Sequence, residues 1–147
     1  MRRREFLGTI GRAAIVLPLA PQTALPQSSG RKPRIGVLWH AGNEEEEGEN
    51  FTALVEGFRN RGYVDGPTAT LEHRYANEQY ERFQALAAEL VSLKVDILVA
   101  VTRMAAAAAQ TATNTIPIVF VVVQDPVANR FADSLARPGR NMTGLGP

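Results

Sequence analysis

Apolar and polar positions along residues 34–136 form blocks that predict strands and helices in turn. Short apolar runs with little polar interruption are typical of strands buried on both faces of a sheet. Segments whose apolar residues recur three and four positions apart are typical of amphipathic helices. The predicted strands are 34–39, 68–76, 95–101 and 117–123, and the predicted helices are 51–62, a segment holding Phe83 to Val91, 103–112 and 126–136. This order predicts an α/β fold, a doubly wound parallel sheet in three layers of the flavodoxin-like or Rossmann-like kind.

Local signals add detail to these elements. Strand 68–76 alternates apolar and polar residues, as an edge strand with one solvated face does. Asn50 and Asn77 stand where helix N-caps belong, and Gly62 stands where the first helix should end. Pro126 suits the first turn of the last predicted helix.

The first 29 residues resemble an export signal. Arg2, Arg3 and Arg4 precede a short apolar run, and the stretch RREFL is similar to the twin-arginine signal of bacteria. The apolar run is broken by Pro18 and is too short for a membrane span, which needs roughly 20 apolar residues. We therefore expect a signal peptide and linker over residues 1–29, export to the periplasm, and an α/β lobe over residues 30–140. The alternative is a basic, disordered N-terminus.

Charge and cysteine content narrow the function classes. Four of the 16 basic residues but only one of the 15 acidic residues lie within residues 1–29, so the rest of the chain carries a net charge of −2. This balance gives no support for nucleic-acid binding, which requires clustered basic residues. Cysteine does not occur, which excludes disulfides, thiolate metal sites, a cysteine nucleophile and a lipid-attachment cysteine. A free periplasmic form is expected.

The fold class points to the loops that follow the strands as the place for a binding site. In doubly wound sheets, ligands bind beyond the carboxyl ends of the strands, where the strand order reverses. This rule selects three loops: residues 39–50, 102–104 and 124–126.

The candidate residues in these loops each have a structural and a functional interpretation. Trp39 belongs either to the core or to the mouth of a site, where it would stack on a flat ligand. Thr102 and Asp125 suit helix N-caps, and the Asp125 carboxylate could also face a ligand amine or hydroxyl. His40, at the start of the first loop, is a candidate ligand-binding residue, and its structural interpretation is a solvated or packed histidine. Neither it nor His73 has the spacing of zinc ligands.

Several familiar chemistries lack their motifs in this sequence. The acidic run Glu44 to Glu47 does not match an EF-hand and predicts a solvated loop. No GxSxG motif supports a serine nucleophile. Neither GxGxxG nor a phosphate-binding GxxxxGK follows the first strand. We therefore expect no cofactor and no metal.

Four sequence blocks together resemble a known family. They are GFRNRGYVDG, ALAAELVSLKVDILVA, ATNTIPIVFVVVQDPV and LARPGRNMTG. In this order and spacing they look like the N-terminal half of the substrate-binding proteins of a bacterial ABC uptake transporter family, which have the type I periplasmic-binding-protein fold. The resemblance runs from about Arg34 to the end of the sequence. It implies a cleft position for Asp125, Pro126, Asn141 and Thr143.

Two stretches depart from the pattern of that family. The loop after the third strand commonly has a glycine and small residues in relatives but reads VTRMAA here, so Arg103 could fill the pocket or pair with a carboxylate. The glycine-rich stretch before DPV reads VVVQ, so Gln124 could replace a backbone contact with a side-chain hydrogen bond.

The resemblance leads to a functional hypothesis. It implies solute binding for an ABC transporter permease, with a small organic solute such as an amino acid as ligand. Residues 141–147 resemble the start of the crossing to a second lobe, so we expect a truncated binding protein that binds weakly alone. Two alternatives stay open: a small α/β enzyme using Asp125 as base or nucleophile, and an interaction module that pairs with a copy of itself or a separately encoded second half.

Overall fold

The computed structural model describes residues 30–145, which form one α/β layer structure. The export signal predicted for residues 1–29 lies outside the described residues. In chain order the elements are β1 (Arg34–Trp39), α1 (Glu44–Glu47), α2 (Glu49–Asn60), β2 (Thr70–Tyr75), α3 (Tyr80–Ser92), β3 (Ile97–Val101), α4 (Arg103–Ala112), β4 (Ile118–Val121) and β5 (Met142–Gly144).

The five strands form one sheet in the order β2-β1-β3-β4-β5. Every neighbouring pair is parallel, so the predicted doubly wound α/β fold is confirmed. The chain moves outward from β1 to β2, then returns to β3 and continues the other way. The strand order therefore reverses between β1 and β3, and in such sheets this is the point where ligands bind, beyond the carboxyl ends.

Helices cover the two faces of the sheet unequally. Helices α3 and α4 pack on one face, and four buried alanines of α4 allow the close approach. Helix α2 covers part of the other face with three half-buried side chains, Phe51, Leu54 and Phe58. No residue of α2 is fully buried, so this helix covers its face less completely than α3 and α4 cover theirs.

The acidic run Glu44 to Glu47 forms helix α1, so the predicted solvated loop is wrong. Asn43 caps this helix: its Oδ1 accepts a hydrogen bond from the Glu46 amide at 3.0 Å, and its Nδ2 donates to Glu46 Oε1 at 2.9 Å. Glu47 is buried and accepts a hydrogen bond from the Ala41 amide at 2.9 Å. The acidic residues therefore satisfy the backbone of the loop that follows β1.

The predicted N-caps at Asn50 and Asn77 are also wrong. Helix α2 starts at Glu49 after Gly48, and α3 is preceded by Gln79. Asn77 lies in a turn with φ 52°, and its amide donates to the Ala41 carbonyl at 3.0 Å. The loop after β2 is thus tied to the loop after β1.

The helix predicted over residues 126–136 does not form. The Asn129 amide donates to the Asp125 carbonyl at 3.1 Å, but Arg130 then adopts φ 61°, and a left-handed residue ends a helical turn. Phe131 still packs on Phe120, with ring centroids 6.1 Å apart, whereas Leu135 is 79% exposed. Of the two apolar side chains whose spacing suggested a helix, Phe131 is therefore buried and Leu135 is not.

Strand β5 was not predicted from the apolar pattern. Its three residues pair with β4 in register, Thr143 opposite Val119, and they extend the sheet. Gly144 lies so close to Phe120 that an added Cβ would overlap the Phe120 carbonyl oxygen. The glycine therefore permits β5 to approach β4, which a turn-former pattern does not reveal.

Candidate functional site

The loops after β1, β3 and β4 meet at one edge of the sheet, which we call the carboxyl rim. These three strands end at Trp39, Val101 and Val121. The three residues lie side by side, because Val101 pairs with Val121 and β1 pairs with β3. The rim consists of Trp39 and His40 after β1, Thr102 and Arg103 after β3, and residues 122–125 after β4. It coincides with the reversal of strand order.

An apolar cavity of about 250 Å³ lies at the rim between α2 and the sheet. Its lining consists of Trp39, Asn50, Ala53, Leu54, Val101, Val121 and Val122. Trp39 is fully buried, yet it lines this cavity, so it serves both as core and as wall. The cavity suits a small apolar group.

Trp39 is held rigidly by an aromatic cluster. Its Nε1 donates to Nδ1 of His73 at 2.9 Å, and its ring lies nearly parallel to Tyr75 at a centroid distance of 6.4 Å. Phe51 packs on the same ring at 5.5 Å. Burial lowers the pKa of His73 and so favours the neutral imidazole that can accept this hydrogen bond. Burial also raises the pKa of Tyr75 to about 12, with Glu44 adding to the rise.

A polar cavity of about 500 Å³ lies beside the apolar one. It is lined by Thr102, Arg103, Val122, Gln124, Asp125 and Asn129. Four of these residues were predicted from the sequence, and the structure brings them together: Thr102, Arg103, Gln124 and Asp125. Val122 lines both cavities, so the two spaces are neighbours along the rim.

Asp125 caps a turn and also borders the polar cavity. Its Oδ1 accepts a hydrogen bond from the Ala128 amide at 2.9 Å, which caps the turn that follows. The residue also lines the polar cavity. Asn129 supports it by donating its Nδ2 to the Gln124 and Asp125 carbonyls at 3.0 and 2.9 Å. Pro126 is buried behind this turn and accepts the Phe131 amide at 2.9 Å.

The backbone of the rim is strained at three positions. Thr102 has φ 83° and ψ 165°, and Val122 and Asp125 have φ 57° and 44°. Positive φ is rare for residues other than glycine and is an outlier for β-branched side chains. Such strain is concentrated at functional sites in proteins, where the surrounding fold maintains it.

His40 points toward a buried carboxylate and lines neither cavity. Its Nδ1 lies 2.9 Å from Oε1 of Glu47, whose side chain is fully buried. The His40 carbonyl accepts the Glu78 amide at 2.7 Å, so the backbone is fixed as well. This contact agrees with the packed interpretation of His40, whereas its role in ligand binding stays a prediction.

The structure does not bring Asn141 and Thr143 to the carboxyl rim. Asn141 precedes β5 at the opposite edge of the sheet, where its Nδ2 donates to the Ile116 carbonyl at 2.8 Å and its own carbonyl accepts the Ile118 amide. Thr143 is exposed in the middle of the edge strand. A parallel strand starts at the amino edge, which separates Asn141 from Asp125. Thr143 pairs with Val119 of β4 and lines neither cavity.

Seven lining residues were not among the site residues that the sequence predicted: Asn50, Ala53, Leu54, Val101, Val121, Val122 and Asn129. Val122 stands within a run of three valines that reads as a buried strand, although β4 ends at Val121. Only the positive φ of Val122 turns its side chain out of the strand pattern, and no sequence signal shows this.

Within the described residues 30–145, no group of three or more His, Asp or Glu side chains could hold a metal ion. No helix in the described part of the chain is long and apolar enough to cross a membrane.

The fold and the two adjoining cavities at the carboxyl rim define an α/β ligand-binding domain. A family model described as ABC transporter substrate binding protein matches residues 46–146, which is more than half of the chain. The chain therefore belongs to the ABC transporter substrate-binding protein family. The resemblance found in the sequence is confirmed.

Individual relatives agree with this assignment. A tyrosine-binding protein of Clostridioides difficile is 33% identical over 91 residues, which are 62% of this chain and 26% of that protein. A conserved domain protein of Vibrio cholerae superposes with a TM-score of 0.74 at 28% identity, covering 79% of this chain and 39% of that one. The ligand-free, open structure of a Clostridium difficile substrate-binding protein with adhesive properties superposes with a TM-score of 0.71 at 28% identity. The match covers 76% of this chain and 38% of that one. This chain thus spans well under half the length of these relatives.

Proposed function

We propose that this chain is the first lobe of an extracytoplasmic solute-binding protein that delivers a small amino-acid-like solute to an ABC transporter permease. The observation that carries the proposal is the juxtaposition of the apolar and polar cavities at the carboxyl rim. A ligand with a flat apolar group and a charged head group could occupy both cavities at once. Most small-molecule sites combine these two kinds of surface.

Charge at the polar cavity supports a zwitterionic head group. Arg103 and Asp125 both line this cavity, and neither forms an ion pair with another residue in the described range. A guanidinium binds a carboxylate in a bidentate way, and a carboxylate accepts hydrogen bonds from an ammonium group. Arg103 and Asp125 could therefore hold the two charged groups of an α-amino acid.

The apolar cavity supports a ring as the other part of the ligand. Trp39 presents a rigid aromatic wall, and Leu54 and Val121 add apolar surface. Offset stacking or edge contacts between rings are favourable in such a space. The relative from Clostridioides difficile is called a tyrosine-binding protein, which agrees with an aromatic amino acid as ligand.

A second lobe completes the site in this proposal. Ligands of two-lobed binding proteins are enclosed when the lobes close on them. The rim here is open, and Val122 is 57% exposed. We propose that the second lobe, in the same or a separately encoded chain, faces this rim, and that residues 30–145 alone bind with low affinity. Delivery to the periplasm by the twin-arginine route, through the signal at residues 1–29, belongs to the same proposal.

An enzymatic role for Asp125 has less support. A carboxylate that acts as base or nucleophile usually works with a second acid or base. His40 lies against Glu47, and His73 accepts the Trp39 hydrogen bond, so both histidines are engaged away from Asp125. Binding without chemistry is the simpler use of this rim.

Titration of the 147-residue protein with L-tyrosine tests the proposal. Trp39 is the only tryptophan in the sequence, so selectively excited tryptophan fluorescence reports on the apolar cavity. We expect a saturable fluorescence change, weakened about tenfold or more in Arg103→Gln and in Asp125→Asn, since each loses a charged hydrogen bond. Asparagine at position 125 retains an oxygen for the Ala128 amide. The matched control is Arg61→Gln, on an exposed residue that lines neither cavity.

A saturable signal that none of the cavity variants weakens would contradict the assigned site. Two absences together, up to millimolar concentration, would contradict amino-acid binding by this lobe: no fluorescence change with L-tyrosine or any other standard amino acid apart from L-tryptophan, and no heat of binding with L-tryptophan by calorimetry.

A further inference from the structure

Val122 occupies an unusual position between the two cavities. It follows the last residue of β4 and is the one residue shared by the linings of the apolar cavity and the polar cavity. The residue is 57% exposed at the carboxyl rim. A ligand that places a ring beside Trp39 and a head group beside Asp125 has to pass over Val122.

The conformation of Val122 is unfavourable for its side chain. Its φ of 57° lies in the left-handed region, where a branched Cβ is crowded by the backbone. Glycine would adopt this conformation without strain. Burial in the core does not compensate for this strain, because the residue is more than half exposed. The fold thus presents an apolar, branched side chain at the rim in a conformation that disfavours it.

We propose that Val122 is the specificity-determining residue of the rim, whose two methyl groups set the size of the apolar group that the site accepts. The proposal rests on the proposed function, since it assumes a ligand that spans both cavities. The branched side chain narrows the passage from the polar cavity to the space beside Trp39. A smaller residue widens that passage and favours a larger ring system.

The test compares L-tyrosine and L-tryptophan as probes of the full 147-residue protein. Isothermal titration calorimetry of wild type and Val122→Ala gives the ratio of the two dissociation constants. We expect the ratio of the two dissociation constants to shift by about tenfold in favour of L-tryptophan in Val122→Ala. Adding or removing one or two methyl groups in a hydrophobic pocket changes discrimination between ligands by this amount. The matched control is Val127→Ala, because Val127 is also exposed, at 40%, but lines neither cavity.

The outcomes separate the inference from the function on which it rests. A ratio in Val122→Ala that stays within twofold of the wild-type ratio overturns the role of Val122 alone, as does an equal shift in Val127→Ala. If wild type binds neither probe, the proposed function and this inference fail together. Urea unfolding of each variant, with an unchanged slope, confirms that the ratios are measured on folded protein.

Discussion

Trp39 shows how one side chain can serve the core and the rim together. Its ring is fully buried and its Nε1 hydrogen is satisfied by His73, but one edge of the ring lines the apolar cavity. The bond requires an imidazole with a free lone pair on Nδ1, which a protonated ring lacks. The orientation of the rim tryptophan therefore depends on the protonation state of His73.

Stability should fall at acidic pH through His73. Burial lowers its pKa in the folded protein below the ordinary value of 6.5, while Glu44 and Asp65 oppose this and Arg74 adds to it. Above pH 6.5 the His73 imidazole is neutral in both the folded and the unfolded protein, so it does not contribute to the pH dependence of stability. As the pH falls below 6.5 the unfolded state takes up the proton first, and stability is lost until the folded pKa is passed.

Urea midpoints measured between pH 8 and pH 5 in wild type and His73→Asn check this expectation. Asparagine can accept the Trp39 hydrogen bond but does not titrate, so the decline with falling pH should be smaller in the variant. Carboxylate titrations common to both proteins cancel in the difference between them. Identical pH profiles would show that His73 does not contribute to the acid sensitivity.

Among the secondary-structure elements, those with a strong apolar or helix-propensity signal could be predicted, and those fixed by individual side-chain hydrogen bonds or by the φ angle of one residue could not. The range 34–39 matches β1 and 103–112 matches α4, because an apolar run and a strong helix propensity each act within a few residues. Helix α1 was missed because its acidic side chains satisfy amides of the preceding loop. The segment 126–136 was wrong because its left-handed Arg130 ends the turn.

Strand β5 depends on a missing side chain, and this can be tested with two glycines. In Gly144→Ala the added methyl would overlap the Phe120 carbonyl oxygen, so β5 has to move away from β4. We expect the free energy of unfolding to fall by about 1–3 kcal/mol, as in overpacked sites. The control is Gly57→Ala in α2, where nothing lies within 4 Å of the added Cβ; it should gain about 0.5–1 kcal/mol.

Urea unfolding followed by circular dichroism measures both changes. The opposite signs are the informative part, because a general effect of alanine would move both variants in the same direction. Equal stability of Gly144→Ala and wild type would show that β5 is not packed on Phe120 as described.

Across the whole domain, the position of the rim followed from the topology, and its detailed lining did not. Parallel strands with a reversal of order place Trp39, Thr102 and Asp125 at one edge, which the loop pattern anticipated. The cleft assignment of Asn141 came from the family resemblance, and the residue lies instead at the amino edge of the sheet. Val122 was missed because its conformation, and not its residue type, brings it into the site.

The strain at the rim is maintained by the rest of the domain, and Thr102 allows this to be measured. Its φ of 83° and ψ of 165° fall in a region adopted almost only by glycine, and its side chain does not cap α4. Thr102→Gly should therefore raise the free energy of unfolding by about 1 kcal/mol, because relief of roughly 1–3 kcal/mol of strain exceeds the entropic cost of glycine. Thr111→Gly, at an exposed position inside α4, is the control and should lose roughly 0.5 kcal/mol. Urea unfolding measures the free energy of unfolding of both variants. If Thr102→Gly is less stable than wild type, the backbone at Thr102 is not strained and the residue acts as an ordinary helix cap.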